Sequence, residues 1–566
     1  MRAPIPLRAG GLLALFLVAS AVPRALDVWR PVDGTTWNTW REVDVAAIAR
    51  NFYREGANLL YPRIDWRGDG PGFVESELPL YPWTIAGMYH LFGYHEELGR
   101  LLSFGLAMAS SLFFFLLARR LLPPAGLWGA LAFWALNPLA VRMATSVQPE
   151  PLMAMAVLAA VYFFTLWLDE PSLANYSLAL FFTILAVLAK LPALYVGVLF
   201  GALLLDRVGL RTFGRLDVWA FAGATLVATL LWYVHARHLY LTYGNSLGAS
   251  NEAYRFISWS GFLGNAAWTI PGNLRNEIAG VWTAPGALLG ALGLLASRGR
   301  TRRLVLLWLA ALGLFYLVAG RTTGQGWALY YHIASVPAAA LAVGLGVDAV
   351  SRAAGRWEPT LPGARLGSLV WAAAVISGFL VAGLARRWAL PALAASTAVV
   401  LGGLVYRALA PAPAAGEGEA QKRSLGLGAL ALLGCLLVGS TLTWEAFRTA
   451  RGAGPRYFAE VYDCARRFAG KVEPGALVVA SGGTPTTTGA QALDAPYFFF
   501  WLDRKGFSLT RHSLDDLEGF RARGGRFLIV EREFLDRSPG FEDSLRRRYR
   551  HLDECGGSGL FLLASP

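Results

Sequence analysis

Apolar runs long enough to cross a bilayer alternate with short polar loops from residue 9 to residue 443. A helix needs roughly 17 to 25 mainly apolar residues to cross about 30 Å of hydrocarbon. About thirteen such runs are legible, at 9–26, 97–118, 125–141, 150–168, 174–189, 191–206, 217–236, 281–297, 303–320, 329–350, 367–386, 389–408 and 425–443. The loops on one side carry the cations: Arg2 and Arg8, Arg119 and Arg120, Arg207, Arg211 and Arg215, Arg298 to Arg303, Arg352 to Arg365, and Arg407 with Lys422 and Arg423. Basic loops stay cytoplasmic, so an odd number of spans sends the C-terminal segment outside. Asp169 with Glu170, and Arg386 with Arg387, run against this pattern. The first run has a basic flank and an Ala-Ser-Ala, so a cleaved signal peptide is its competing reading.

Three segments on the external side are long enough to build something: 27–96, 237–280 and 444–566. In the first, Val45, Ile48, Ala49 and Phe52 recur at helical spacing within Val43 to Arg54. This predicts an amphipathic helix lying flat in the outer interface, with Glu42 and Asp44 at the membrane surface. "LPLYPWTIAGMYHLFG", 78–93, is a second such segment, too short and too Pro-interrupted for a span. The tail alternates apparent strands ("ALVVAS", "RFLIVE", "GLFLLA") with helical stretches such as Tyr457 to Ala469, which predicts a small mixed α/β domain. The predicted architecture is thus an all-α polytopic membrane domain, 1–443, followed by an extracytoplasmic α/β domain, 444–566. "APAPAAGEGEAQKRS", near residue 415, reads as a flexible cytoplasmic linker.

Composition closes off alternatives. Of 566 residues 55% are hydrophobic and 16% charged, with a mean hydropathy of +0.44, too apolar for a soluble chain. The net charge of +13 sits in inter-span loops rather than on one soluble face, so nucleic acid is excluded as a partner and membrane lipids are expected. Cys464 and Cys555 share the external tail, where they either pair or stay as buried thiols.

Singly, the first-loop acids Glu42, Asp44, Asp65, Asp69, Glu75 and Glu77 are solvating charges. Interleaved with Trp66, Tyr81 and Trp83, they form the combination of acceptors and flat rings that sugar sites use, the competing reading being an interfacial aromatic belt. Glu150, between Pro149 and Pro151, either serves chemistry or offsets a helix dipole. Lys190 in "AVLAKLPALYV" is a cation between apolar stretches, which needs a partner, an anionic ligand or snorkelling. Arg142 sits close to the bilayer near Glu150, and Arg321 and His332, with Tyr331 beside it, are further external-side candidates for a phosphate. Neither an Asp-X-Asp in the first loop nor a His/Cys cluster with ligand spacing is present in the sequence, so no catalytic metal and no cofactor is expected.

The order of these features resembles a known class. An acidic motif after the first run, an interfacial helix, "ELPLYPW", "LFGYHEELGRLLS", an acid after the third run, "LAKLPALY" and "YYHIASVP" are together similar to the GT-C glycosyltransferases. The likeness is to the family 39 and aminoarabinose-transferase-like branch and covers about residues 10 to 350. It implies an integral-membrane enzyme that takes a sugar from a dolichyl- or polyprenyl-phosphate carrier and passes it, with inversion, to a lipid, glycan or protein acceptor on the outer membrane face. It also implies a carboxylate base just after the first span: Asp44 first, Glu42 second, because the family's Asp-Glu is "REVD" here. Glu150 matches the second acidic position, and Lys190, Arg142 and Arg321 would hold the phosphate. Glu77-Leu78-Pro79 stands where relatives acting on lipid A have Lys-Pro-Pro, which weakens a claim to that substrate. A transporter or flippase for an amphiphile is the rival; it would need no base and would place ionisable residues at mid-span.

Overall fold

In the computed structural model the residues described are 7–36, 38–247, 269–354, 456–482, 484–485, 491–492 and 496–563. Every apolar run up to residue 350 has a helix within it. In chain order these are α1 (Leu7–Arg24), α2 (Thr39–Glu55), α3 (Leu80–Phe92), α4 (Glu97–Leu121), α5 (Pro124–Leu136), α6 (Pro138–Met143), α7 (Glu150–Asp169), α8 (Leu173–Ala189), α9 (Tyr195–Val208) and α10 (Leu216–Tyr243). They are followed by α11 (Ala284–Ala296), α12 (Arg300–Val318), α13 (Gly320–Thr323) and α14 (Val336–Ala354). Among the described residues seven helices are long and apolar enough to cross a membrane, or eight if a pair bent by 94° around residue 284 counts as one span. The runs predicted at 367–386, 389–408 and 425–443 lie outside the described residues.

The reading of 125–141 as one continuous run needs correction. A residue before proline is pushed out of the α region, and Asn137, before Pro138, is extended (φ −60°, ψ 123°). α5 therefore stops at Leu136, and Asn137 opens α6 by accepting from the Ala140 amide at 3.1 Å while donating to the Val281 carbonyl at 2.7 Å. The carbonyls left over where α5 ends are taken by Arg24 of α1, which donates to Trp134 and Ala135. The first apolar run is thereby built into the bundle.

Burial sorts the spans. The spans Glu150–Asp169 and Gly326–Ala349 are 72% and 94% buried, against 22% for Gly10–Asp27 and Leu216–Tyr243, so α7 and α14 form the bundle's centre. α7 packs between α4 and α8, and α14 between α5 and α11. The outer helices show bare apolar side chains at helical spacing: Leu15, Val18 and Val22 on α1, and Leu226, Leu230, Leu231 and Val234 on α10. Such a surface suits a lipid environment and would drive association in water.

The C-terminal segment holds a five-stranded sheet in the order β4-β1-β5-β7-β6, from β1 (Leu477–Ser481), β4 (Gly506–Leu509), β5 (Gly525–Glu531), β6 (Arg550–Cys555) and β7 (Ser558–Leu562). A short separate ribbon pairs β2 (Thr484–Pro485) with β3 (Gln491–Ala492). β4, β1 and β5 run parallel, and β7 and β6 are antiparallel additions. The three strands read from the sequence fall on β1, β5 and β7, and the helical stretch becomes α15 (Arg456–Ala469). Cys464 of α15 is bonded to Cys555 of β6, with Cα atoms 5.4 Å apart.

α2 differs from its expected setting. It is a helix, but buried on nearly every side from Thr39 to Phe52 rather than resting on an interface. It packs against α3 and against α16 (Tyr497–Leu502) of the C-terminal segment. Arg50 of α2 reaches the Phe500 carbonyl at 2.9 Å and stacks over its ring. Trp501 donates to the Val32 carbonyl at 2.7 Å, and the Gly68 amide donates to the Gly506 carbonyl at 2.6 Å. At Gly34 (φ +77°) a Cβ would lie 2.3 Å from the Phe458 carbonyl oxygen, so no larger residue fits there without displacement. The C-terminal sheet domain is thus seated on the first loop.

Candidate active site

Residues two apart on a helix point roughly 200° apart, whereas residues three apart share a face. Glu42 and Asp44 therefore leave α2 in different directions, and each has its own surroundings. Glu42 accepts from Ser146 Oγ at 2.8 Å, the Val147 amide at 3.2 Å and Thr36 Oγ1 at 2.8 Å, and Arg100 of α4 lies 3.5 Å away. Arg100 itself spans to the Arg30, Pro31 and Thr145 carbonyls. Glu42 is thus a buried joint between the first loop, α4 and the segment leading into α7. Tyr81 belongs to the same packing, its hydroxyl donating to the Gly99 carbonyl at 3.0 Å and lying 2.5 Å from Ser103 Oγ.

Asp44 is buried too, and its Oδ1 accepts from Trp66 Nε1 at 2.9 Å. The indole fixes the carboxylate's direction. One turn earlier on the same face, Arg41 reaches Glu77 at 2.8 Å. Glu77 lies 3.7 Å from Lys190 Nζ, and Lys190 in turn is bonded to Glu150 Oε1. Burial alone would raise the Glu77 carboxyl, but Arg41 and then Lys190 hold it below its usual range. The Lys190 ammonium sits 5.0 Å from the ring centroids of both Tyr330 and Tyr331, within reach of a cation–π attraction. Residues from α2, the first loop, α7, the end of α8 and the turn Gly326–Ser335 therefore meet in one charged cluster.

Local sequence explains why the cation stops there. Lys190 is extended (φ −162°, ψ 122°) between α8 and a short 3-10 turn, Leu191–Leu194, that carries Pro192. The break leaves Lys190 outside a continuous helix, aimed at the acids. Glu150 begins α7 between two prolines. Its Oε2 is buried with no hydrogen-bond partner among the described residues, and so is Oε1 of Gln148, two residues earlier in the chain.

The remaining expected residues are placed as follows. Arg142, in α6, is partly buried. Arg321, in α13, is exposed. His332 is fully buried, with Nδ1 2.6 Å from Glu277 Oε1 and Nε2 3.0 Å from the Thr323 carbonyl. A carbonyl only accepts, so Nε2 carries a proton. Glu277 also accepts from Ser335 Oγ and Trp282 Nε1. Both ring nitrogens of His332 are thus engaged inside the fold. Trp66, expected as a sugar platform, is buried against Asp44 instead.

Sequence reasoning missed Arg41, Arg100, Ser146 and Glu277. Two of these had a signal: Arg41 stands one helical turn before Asp44, and Arg100 is a lone cation entering an apolar run. Ser146 and Glu277 become partners only through chain crossings of 104 and 55 residues.

Residues 74–236 match the family model described as dolichyl-phosphate-mannose-protein mannosyltransferase. The fold is similar to that of ArnT from Cupriavidus metallidurans in the apo state, with TM-score 0.58 and 17% identity over 99% of this chain and 100% of that one. The same protein bound to undecaprenyl phosphate gives TM-score 0.57 and 16% identity over 98% and 99%. An Archaeoglobus fulgidus oligosaccharyltransferase tethered with an acceptor peptide gives TM-score 0.52 and 13% identity over 99% of this chain and 74% of that chain. No curated protein sequence matches the chain significantly. The resemblance to the GT-C glycosyltransferases drawn from the sequence thus extends to the fold.

Proposed function

We propose that this chain is a multi-pass membrane glycosyltransferase that moves a sugar from a polyprenyl-phosphate carrier to a hydroxyl of a lipid, glycan or protein acceptor on the outer face of the cytoplasmic membrane. Asp44 is the general base. It takes the acceptor's proton as the acceptor oxygen attacks the anomeric carbon; the bond from that carbon to the phosphate oxygen breaks, and polyprenyl phosphate leaves with the electron pair. One displacement inverts the anomeric centre. A phosphate is already a stable leaving anion, so a single base suffices, and proton transfer of this kind contributes about a hundredfold to ten-thousandfold.

The observation that carries this reading is the shared face of α2: Asp44 lies one turn from Arg41, whose partner Glu77 joins it to Lys190 and Glu150. Lys190 has three donors, of which Glu150 takes one, so a phosphate oxygen is able to join it without displacing the carboxylate. Arg142 and Arg321 are the further phosphate ligands, stabilising charge as the bond breaks. Glu150, with an unused buried oxygen, orients the acceptor or the sugar. Glu42, saturated by donors, anchors the loop. The solved structures of similar fold lend support, one of them holding undecaprenyl phosphate and another an acceptor peptide.

The test is direct. Purified protein in lipid nanodiscs is given a panel of undecaprenyl-phosphate-linked sugars with lipid, glycan and peptide acceptors, and free undecaprenyl phosphate is measured. Release that depends on both sugar and acceptor is expected; carrier binding with no release across the panel would favour the transport reading.

A further inference from the structure

We propose that the end of the bundle opposite the acid cluster carries a binding site for the anionic headgroup of a membrane phospholipid. α7 runs 20 residues from Glu150 to Asp169, which at 1.5 Å per residue is about 30 Å, the thickness of the hydrocarbon core. Asp169 therefore lies at the headgroup level of the other leaflet, on the side that the basic loops mark as cytoplasmic.

Three helices bring cations to that level. Arg120 of α4, Arg207 of α9 and Arg300 of α12 converge on Asp169 at 2.9, 2.7 and 2.6 Å, and Arg303 of α12 meets Asp206 at 3.1 Å. Four guanidiniums thus face two carboxylates, which leaves an excess of two positive charges. Beside these pairs, and lined by three of the four arginines, lies a cavity of about 270 Å³, walled by Arg207, Arg300, Arg303 and Asp206 on its polar side and by Leu203 and Leu304 on its apolar side.

Three features fit a lipid phosphate. The side chains of Arg207, Arg300 and Arg303 keep 42%, 47% and 57% of their surface exposed, so their planar forks retain donors for a phosphate. The first turn of α12 lines the cavity, and Gly299 supplies no side-chain cap for its amides, which adds donors and the positive end of a helix dipole. The leucine wall gives the first carbons of an acyl chain a dry surface, which a soluble anion would not use. Inter-helix ion pairs alone would need no surplus of charge. Occupancy would join α9 to α12 at their inner ends and is independent of the transfer chemistry.

The test uses the full chain in nanodiscs of equimolar phosphatidylglycerol and phosphatidylcholine, released for native mass spectrometry. Wild type should retain phosphatidylglycerol in preference. Arg300→Gln combined with Arg303→Gln should lower that retention about twenty-five-fold, since each cation near the surface contributes about a factor of five. Arg298→Gln, an exposed cation that does not line the cavity, should change it little. Independently of any variant, phosphatidylglycerol should raise the wild-type melting temperature over phosphatidylcholine, and inorganic phosphate should not. Equal retention of the two lipids by wild type, an equal loss in Arg298→Gln, or the same thermal shift from inorganic phosphate would overturn the proposal.

Discussion

Two carboxylates separated by one residue have opposite fates, and the difference is set by what surrounds each oxygen. Glu42 is enclosed by Ser146, Val147, Thr36 and Arg100. Removing its charge leaves Arg100 buried without its carboxylate, a loss of about 3 kcal/mol for a broken buried pair. Glu42→Ala should therefore lower the melting temperature in detergent, and a variant as stable as wild type would show that the joint carries little. Lys190→Ala removes the cation that links Glu77, Glu150 and the two tyrosine rings. If it holds the carrier phosphate, affinity for polyprenyl phosphate should fall about tenfold or more, as for other bonds to charged groups; unchanged affinity would leave Lys190 an internal tie. The sequence made these residues visible one at a time, as charges near apolar runs. Their pairing was not legible, because Glu42 meets Ser146 and Lys190 meets Glu150 only after α4, α7 and α8 have packed.

At the scale of elements, α2 shows what periodicity carries and what it omits. The spacing of Val45, Ile48, Ala49 and Phe52 identified a helix, and a helix is there. The same pattern implied one wet face, but Arg50, Asn51 and Asp44 on that face are covered by α16 and the first loop. A polar residue satisfied by a partner far along the chain reads the same in sequence as one satisfied by water. The break at Asn137, by contrast, is written locally by Pro138 and is masked only by the hydropathy run that continues through it. Trp66 of the first loop donates to the Asp44 carboxylate of α2. Trp66→Phe keeps the ring and deletes the N–H, so if Asp44 is the base, kcat should fall about tenfold, the worth of one bond to a charged acceptor, with KM for the carrier little changed. An unaltered kcat would mean that the indole only fills space.

Over the whole molecule, a buried charge is one of the ties between the membrane bundle and the C-terminal sheet. Asp65 of the first loop accepts from Arg50 at 2.5 Å and from Asn51 at 2.8 Å, and is bonded to Lys505 beside β4. Burial alone would raise its pKa, but Arg50 and then Lys505, with hydrogen bonds from Lys505 and Asn51, hold it at about 2 against 3.8 for the free group. A folded pKa below the unfolded one means the contribution is fully present above about pH 4 and is lost as the pH falls through about 2. Protease nicking between the bundle and the sheet domain should therefore increase across that window, and Asp65→Asn should flatten this rise; an unchanged pH dependence in the variant would assign the loosening to other carboxyls. The helical membrane domain and three of the sheet's strands were readable from pattern alone, whereas this docking was not, because Asp65 and Lys505 stand 440 residues apart. Through that docking the sheet domain covers α2 and so helps hold the face on which Asp44 stands.

The account turns on Asp44 as the group that accepts the proton, and the measurement that tests it most directly is turnover by Asp44→Asn alongside carrier affinity in the same preparation. The expected result is a fall in kcat of at least about a hundredfold with binding of polyprenyl phosphate retained. Wild-type turnover by a folded Asp44→Asn protein would contradict it.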